Sequence, residues 1–236
     1  PQHNVLYAGN ARGKCETVIL SACVQVMLTL SRMAEDLVLF TTPEMPYFTL
    51  PSAYCTGSSI MPQKQNPDVA ELVRAKASRV IGHMVAAMGI VKGLPSGYNR
   101  DLQEVKEPFM EGLAATRSCL VVMRKLVEGM QANRKALTGA FEAGVFAADA
   151  ALELVADGVP FRDAYQQVKD HLDALETTRP RDAVARKTHL GAAAGLDLPA
   201  LRKRGTAVER FVKDETKQYH KCVSALLGTT YPEMGA

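Results

Sequence analysis

The chain has 236 residues, of which 47% are hydrophobic and 22% charged, and its formal net charge is +3. Such a length can bury a sizeable core in one large domain or in two smaller ones. The small charge and the scattered basic residues argue against a nucleic-acid partner, and the lack of an uninterrupted apolar run of bilayer length argues against a membrane. No metal-ligand spacing and no phosphate-binding glycine loop is present, so neither a metal nor an organic cofactor is predicted.

The cysteines indicate the cellular compartment of the protein, and the first residue bears on whether the chain is a fragment. The five cysteines are odd in number and show no C-x-x-C spacing, which indicates neither zinc nor a disulfide framework and favours a reducing cytoplasm. The chain begins with Pro1 and shows no signal-peptide pattern. We therefore expect a cytoplasmic protein, of which this chain is a fragment.

The first predicted helix runs from Lys14 to Phe40. Apolar residues crowd several of its faces at once, as expected for a helix covered by neighbours on more than one side. Polar residues break its most apolar reach, Thr17 to Leu30. We interpret this reach as a buried helix inside a bundle.

An irregular segment follows, from Thr41 to Gln65. Four prolines and Gly57 interrupt it, which excludes a continuous helix. Loops of this length in compact domains are usually functional or disordered, and the apolar residues of this one favour an ordered loop.

Two further long helices are predicted in this half of the chain. One runs from Pro67 to about Val91, where a stretch rich in glycine and proline ends it. Asp101 and Glu104 have the spacing of a capping box and predict the start of the other helix.

Pro108 lies inside this third helix. A proline there should kink the helix or restart it, after which it can continue to about Asn133.

The rest of the chain predicts shorter helices with glycine and proline between them. They cover Gly139 to Asp157, Pro160 to Glu176, and Leu198 to Leu227. Strand-like alternation is nearly absent along the whole sequence. The sequence therefore predicts an all-α protein, with long bundle helices in residues 1–135 and a smaller helical domain in residues 136–236.

The stretch TGSSIMPQKQNPD, Thr56 to Asp68, concentrates polar side chains directly before a helix. Gly57 lets the loop turn tightly and present the pair of serines. Lys64 supplies a positive charge and Asn66 an amide donor beside the helix N-terminus, where unpaired N–H groups already favour anions. This combination favours a carboxylate-binding site with a hydroxyl nearby. The alternative is a turn that caps the helix, which leaves Lys64 and the serine pair unexplained.

The segment GSSIMPQKQNPD resembles the signature loop of the aspartase/fumarase superfamily, G-S-S-x-M-P-x-K-x-N-P. The segment GLPSGYNRDLQEVKEP, Gly93 to Pro108, resembles the G-L-P-x-x-Y-N-x-D-L-Q-E-x-K motif of the argininosuccinate lyases within it. LSRMAEDLVLFTTPE, Leu30 to Glu44, is similar to the same family. The resemblance covers about Cys15 to Asn133 well and the C-terminal part only loosely. It implies an all-α, long-helix bundle of the aspartase/fumarase type, followed by a smaller C-terminal helical domain.

The resemblance implies a lyase of arginine biosynthesis that cleaves a C–N bond of argininosuccinate to give arginine and fumarate. It assigns the catalytic base to Ser58, whose ionised form Lys64 and the helix N-terminus would stabilise. Lys64 and Asn66 would stabilise the dianionic intermediate. Glu71 corresponds to a glutamate that orients a histidine assisting departure of the leaving group. On the residues alone, an exposed first-turn glutamate favoured by the helix dipole is nearly as good an interpretation.

Substrate binding is assigned by the resemblance to two groups of residues. They are Ser59, Met61 and Gln63 in the signature loop, and Tyr98, Gln103 and Lys106 in the second motif. Gln103 and Lys106 are three residues apart and would share one helix face. The family also implies a homotetramer with active sites shared among subunits.

Departures from the family pattern leave the substrate open. The family's histidine lies in a Thr-His-Leu-Gln stretch upstream of the loop, whereas the Thr-His-Leu of this chain, Thr188 to Leu190, follows the loop and precedes Gly191. We interpret that stretch as unrelated and expect the histidine in a part of the protein outside this chain. Gln65 replaces a basic residue often found there, and GNARGKCE, Gly9 to Glu16, differs from the acidic version common in the family. The alternatives are another fumarate-releasing member, such as an adenylosuccinate lyase, and a non-catalytic crystallin-like relative.

Overall fold

The computed structural model describes residues 4–175 and 179–232. Helices dominate this part of the chain: α1 (Val5–Asn10), α2 (Lys14–Leu39), α3 (Asp68–Val91), α4 (Lys106–Gly129), α5 (Arg134–Gly139), α6 (Ala147–Ala156), α7 (Phe161–Asp170), α8 (Pro180–Arg186) and α9 (Leu198–Leu227). The strands are two residues each: β1 (Phe48–Thr49), β2 (Thr56–Gly57), β3 (Gln65–Asn66) and β4 (Gln131–Ala132). The predicted all-α class is therefore confirmed. The chain forms two compact units, Pro1–Ala140 and Phe141–Ala236, while the predicted boundary lies after residue 135.

Three long helices form the core of the first unit. Helix α2 packs along α3, and α4 packs against both. The largest side chains buried between them are at most 2% exposed, and they are Leu20, Met27, Val73, Val80, Met123 and Leu126. Burying a side chain of this size contributes about 1.5–3 kcal/mol. This core fixes α3, whose two ends carry the two sequence motifs.

Helix α2 has the length and apolar character of a membrane span, which the sequence prediction did not anticipate. The stretch Val5–Leu39 is long and apolar enough to cross a bilayer. Of its most apolar 18 residues, 28% are buried inside the protein. Core helices of globular proteins meet the same criterion. Leu20 and Met27 of this helix are both 0% exposed, because α3 and α4 cover them.

The irregular segment after α2 is ordered by contacts with the bundle. Phe48 pairs with Ala132 across β1 and β4, and the backbone N–H of Asn133 donates to the carbonyl oxygen of Tyr47 at 2.9 Å. Leu50 is 6% exposed and belongs to the core. The chain is thus held on the bundle up to the start of the signature loop.

The start of α4 differs from the prediction. Asp101 does not cap this helix, because Arg100–Gln103 form a 3₁₀ turn and α4 begins at Lys106 without a side-chain cap. The predicted capping box is therefore wrong. Leu102 and Val105 are 8% and 1% exposed. Burial of these two side chains explains why a 3₁₀ turn precedes α4 at this point.

Pro108 neither ends nor restarts a helix. It lies in the first turn of α4, where a missing N–H leaves no helical hydrogen bond unmade, and α4 runs on to Gly129. The predicted interruption is wrong, because the helix begins later than the capping-box pattern suggested.

The second unit is built from shorter helices, of which α6 packs on α7. The predicted helix from Gly139 to Asp157 is wrong at its start: Gly139 ends α5, and a 3₁₀ turn, Ala143–Phe146, precedes α6. Phe146 is 5% exposed and its ring stacks on Phe141 at 5.9 Å between centres. Burial of Phe146 and its ring contact with the partly exposed Phe141 stabilise this turn.

Two other helices of this unit test the sequence prediction. The helix predicted from Pro160 ends at Asp170 as α7, and Glu176 lies outside the described residues. The predicted helix Leu198–Leu227 is confirmed as α9. Its ends carry local signals: Asp197 Oδ1 accepts the backbone N–H of Ala200 at 2.9 Å, and Gly228 adopts a left-handed conformation.

Candidate active site

A short hairpin carries the signature loop. Strands β2 and β3 are antiparallel, with Thr56 opposite Asn66 and Gly57 opposite Gln65. Residues 58–64 form the tip between them, and α3 begins at Asp68 directly after the hairpin. The hairpin therefore returns the chain so that Asn66 lies beside the N-terminus of α3.

The hydroxyl of Ser58 is engaged by the backbone of the tip. Its Oγ accepts the N–H of Ile60 at 3.2 Å and that of Met61 at 3.0 Å. This is the geometry of a serine that forms a turn. The same two donors would stabilise negative charge on the oxygen, so the turn and base interpretations of Ser58 are compatible.

Three of the predicted catalytic residues meet at one cavity. Lys64, Asn66 and Glu71 line a space of about 660 Å³ at the N-terminus of α3. The backbone N–H of Glu71 donates to the carbonyl oxygen of Pro67 at 3.1 Å, which sets this glutamate in the first turn of α3. A cation and an amide beside a helix N-terminus form a suitable site for a carboxylate.

The other loop residues divide between the cavity and the tip. Met61 and Gln63 line the cavity. Ser58 and Ser59 stand at the tip, where Ser59 is exposed and Ile60 is 86% exposed. The serines are thus neighbours of the cavity in sequence without forming its wall.

One buried carboxylate oxygen, Oδ2 of the partly exposed Asp68, lies at the base of the hairpin. Burial raises the pKa of the Cys55 thiol, and the charge of Asp68 raises it further. The Oδ2 atom of Asp68 is buried and has no hydrogen-bond partner among the described residues. Leaving such an oxygen unpaired is costly, so the base of the hairpin offers an acceptor to an incoming donor.

An exposed ion pair joins α2 to α3 at the residue three positions after Glu71. Arg74 Nη1 donates to Glu35 Oε2 at 2.5 Å. This hydrogen bond and the charge of Glu35 raise the pKa of Arg74, and Glu71 adds a smaller contribution. Glu71 therefore lies in the same part of α3 as Arg74, a cation that already pairs with Glu35.

The second motif lies at the opposite end of α3. Tyr98, Gln103 and Lys106 follow the C-terminus of this helix, are exposed, and do not line the loop cavity. A helix of 24 residues spans about 36 Å at 1.5 Å per residue. The structure therefore brings the first-motif residues together and holds the second-motif residues apart from them.

Histidines are absent from the loop cavity in the described structure. His189, from the Thr-His-Leu stretch, lines a different cavity in the second unit with Arg186 and Lys187. His83 lies 3.4 Å from Glu111, between α3 and α4. In the part of the chain that the structure describes, no three histidine, cysteine, aspartate or glutamate side chains gather as a metal site requires.

The sequence prediction missed four hydroxyl or amide side chains of the cavity, one of which is Thr49 of β1. Thr41 and Thr42 line it from the end of α2, and Gln65 lines it from β3. Both threonine hydroxyls donate to helix carbonyls, that of Thr41 to Leu37 at 2.8 Å and that of Thr42 to Leu39 at 2.9 Å, so each oxygen could serve a ligand only as a hydrogen-bond acceptor. No residue pattern distinguishes Thr41 and Thr42 from ordinary helix-end threonines. Their place at the cavity depends on how the irregular segment after α2 folds onto the bundle.

Comparison with known proteins finds relatives among lyases. A family model described as lyase matches residues 10–82. Argininosuccinate lyase from Sorangium cellulosum is 43% identical over 201 residues, which are 85% of this chain and 46% of that protein. Argininosuccinate lyase from Thermus thermophilus is 48% identical over 151 residues, 64% of this chain and 33% of that protein. The chain thus spans less than half the length of these curated relatives.

Solved structures share the fold at low sequence identity. A fumarate lyase:delta crystallin from Brucella melitensis has a TM-score of 0.57 at 23% identity, covering 75% of this chain and 40% of that one. EDDS lyase has a TM-score of 0.58 at 20% identity, covering 93% and 48%. A class II fumarase from Schistosoma mansoni has a TM-score of 0.58 at 17% identity, covering 75% and 36%. These likenesses confirm the predicted long-helix fold.

Proposed function

We propose that this chain, a member of the aspartase/fumarase superfamily with argininosuccinate lyases as its sequence relatives, is part of an argininosuccinate lyase. The reaction is cleavage of a C–N bond to give arginine and fumarate, a step of arginine biosynthesis. The observation that carries the proposal is the cavity at the N-terminus of α3, where Lys64, Asn66 and Glu71 converge.

Proton abstraction is the first step of the proposed mechanism. Ser58 Oγ takes a proton from the carbon beside a substrate carboxylate, and the electron pair moves into that carboxylate to form a dianionic intermediate. Lys64 and Asn66, with the N-terminus of α3, stabilise the added charge. The two N–H donors that reach Ser58 Oγ support its use as a base, because they stabilise the ionised hydroxyl.

Departure of the amine is the second step. The electron pair of the intermediate forms the double bond of fumarate while the C–N bond breaks, and the nitrogen gains a proton to become part of arginine. Glu71 is proposed to orient a histidine that assists this step. The histidine is expected from a part of the protein outside this chain, because no histidine among the described residues lines the loop cavity.

Binding of the substrate is proposed to involve both motifs. Ser59, Met61 and Gln63 would hold the fumarate-like half. Tyr98, Gln103 and Lys106 would hold the arginine half, since a hydroxyl, an amide and a cation suit its carboxylate and polar groups. A purine substrate would instead favour aromatic stacking partners.

The length of α3 supports the proposal that subunits share the active site. The two motifs are separated by this helix of 24 residues, about 36 Å, which is much longer than one substrate. The proposal is therefore that the second motif of another copy completes the loop cavity. The proposed homotetramer is also supported by apolar side chains that the first unit leaves exposed, among them Val18, Leu72, Val85 and Met110.

A reducing cytoplasm is the proposed location. The five cysteines of the chain are all free thiols, and Cys23 and Cys119 are buried in the same core. Unpaired cysteines are typical of reducing compartments.

The decisive experiment measures fumarate release by ultraviolet absorbance. The whole protein is expected to release fumarate from argininosuccinate and not from adenylosuccinate. Release from adenylosuccinate alone would refute argininosuccinate as the substrate, and only membership of the superfamily would still stand. Release from neither compound would favour a non-catalytic relative.

Mixing two impaired variants, assayed at an argininosuccinate concentration well below KM, tests the shared site. Ser58→Ala and Gln103→Ala subunits should regain activity after joint unfolding and reassembly, because a mixed assembly contains sites with both wild-type motifs. A mixture no more active than the average of its two components would contradict a site shared between copies.

A further inference from the structure

The segment GNARGKCE, Gly9 to Glu16, contacts the second motif. Asn10 Oδ1 accepts the backbone N–H of Gly97 at 2.7 Å. The guanidinium carbon of Arg12 lies 5.2 Å from the centre of the Tyr98 ring, within the range of a cation–π interaction. The turn between α1 and α2 is therefore in direct contact with a residue proposed to bind substrate.

The shape of this turn depends on Gly13. Its φ of +80° favours glycine, and a Cβ atom there would lie 2.5 Å from Val91 Cγ2 and 3.3 Å from Leu102 Cδ2. The turn thus packs closely on the end of α3 and on the 3₁₀ turn before α4. This packing brings Asn10 and Arg12 to the second motif.

The second motif is also closed by its own hydrogen bonds. Gly97 has a φ of +99°, and Asn99 Nδ2 donates to the carbonyl oxygens of Pro95 at 2.7 Å and Gly97 at 3.4 Å. The N–H of Gly97 donates to Asn10 Oδ1. The backbone before Tyr98 is therefore fixed from both sides.

Tyr98 would otherwise have little to hold its ring. It is 79% exposed, and an exposed side chain samples several rotamers. A guanidinium over one face of the ring favours one of them. Most of the side chain stays open to a ligand.

We infer that Asn10 and Arg12 are positioning residues for Tyr98, and through it for the amine half of the substrate. Asn10 fixes the backbone at Gly97, and Arg12 fixes the ring. The role in substrate binding rests on the proposed function, whereas the two contacts do not.

The first test measures deuterium exchange of the peptide that contains Gly97 in the whole protein, without substrate. Asn10→Ala removes the acceptor and should speed this exchange about fivefold, the equivalent of one ordinary hydrogen bond. Asn10→Asp keeps an acceptor oxygen and should exchange like the wild type. Equal exchange in Asn10→Ala and wild type would overturn the role of Asn10.

The second test separates positioning from general stability by steady-state kinetics. Arg12→Met should raise KM for argininosuccinate about two- to fivefold, the effect of losing one exposed cation–π contact, with fumarate inhibition unchanged. Arg12→Lys keeps a cation and should restore most of the affinity. The matched control is Arg162→Met, which removes an exposed arginine of α7 and should leave KM unchanged.

Coupling to Tyr98 completes this test. In a Tyr98→Leu background, Arg12→Met should have no further effect on KM, because the two residues act as one unit. Additive effects would overturn the inference for Arg12. If the wild type releases no fumarate from argininosuccinate, the proposed function fails, and the exchange measurement alone decides whether this segment holds the Tyr98 turn.

Discussion

The two ends of α3 differ in how firmly the chain holds the motif beside them. At the N-terminal end, residues 58–64 extend from a hairpin of two-residue strands, and Ile60 at the tip is 86% exposed. At the C-terminal end, Asn10 and Arg12 contact Gly97 and Tyr98. The first motif is therefore a loop with few contacts to its own chain, and the second is a supported surface.

This difference indicates how the two motifs would act in a shared site. A loop with few contacts of its own gains them from a ligand or another copy, and its ordering costs part of the binding free energy. A turn already held by its neighbours loses little freedom on binding and can set specificity. The exposed loop is thus suited to the chemical step and the supported turn to recognition of the amine half.

Removal of the Ser58 hydroxyl should produce the largest effect. Ser58→Ala is expected to lower kcat about 10²–10⁴-fold, the usual contribution of a positioned base, with little change in Tm because the loop contributes little to the core. The matched control is Ser52→Ala, an exposed serine in the lead-in to the same loop. Near-normal turnover of Ser58→Ala would remove this residue from the mechanism.

Loss of the loop cation should come next. Lys64→Met keeps much of the apolar stem and deletes the charge, so kcat should fall about 10²–10³-fold, and fumarate should bind more weakly as a product inhibitor. Lys125→Met, on the exposed side of α4, removes the same charge away from the cavity and should behave as wild type. Unchanged fumarate affinity in Lys64→Met would show that this cation does not meet the carboxylate.

A substitution in the second motif, at the C-terminal end of α3, should change substrate affinity more than the rate of the reaction. Gln103→Ala is expected to raise KM for argininosuccinate about 10- to 100-fold, because one hydrogen-bond partner in the closed site is left unpaired. Fumarate inhibition should hardly change. An equal loss of fumarate affinity would place Gln103 at the same half of the substrate as Lys64 and remove the contrast between the ends.

The smallest effect concerns the base of the hairpin. Burial and the charge of Asp68 both raise the pKa of Cys55, so its thiolate should form, and react with a maleimide, at higher pH than that of an ordinary cysteine. Asp68→Asn removes the charge and should shift the labelling profile of Cys55 toward lower pH while leaving Cys15 unchanged. A profile that does not move would mean that burial alone protects this thiol.

Local sequence signals predicted the elements whose ends depend on local contacts. The bounds of α9 match the prediction, since Asp197 caps its start and Gly228 adopts a left-handed conformation at its end. The predicted start of α4 was wrong, because burial of Leu102 and Val105 outweighs the capping pattern at Asp101. A capping box stabilises a helix by about 1 kcal/mol, which is less than the burial of two large side chains.

The sequence by itself determined the helical class, the positions of the two motifs, and the residue types that suit a carboxylate. These follow from hydrophobic periodicity and from the chemistry of single side chains, which are local properties. Only the tertiary structure decided that Thr41 and Thr42 join Lys64 at one cavity, that α3 separates the motifs, and that Arg12 lies over Tyr98. Each of these depends on how α2, α3 and α4 pack, and packing brings together residues whose distance along the chain carries no signal of their contact.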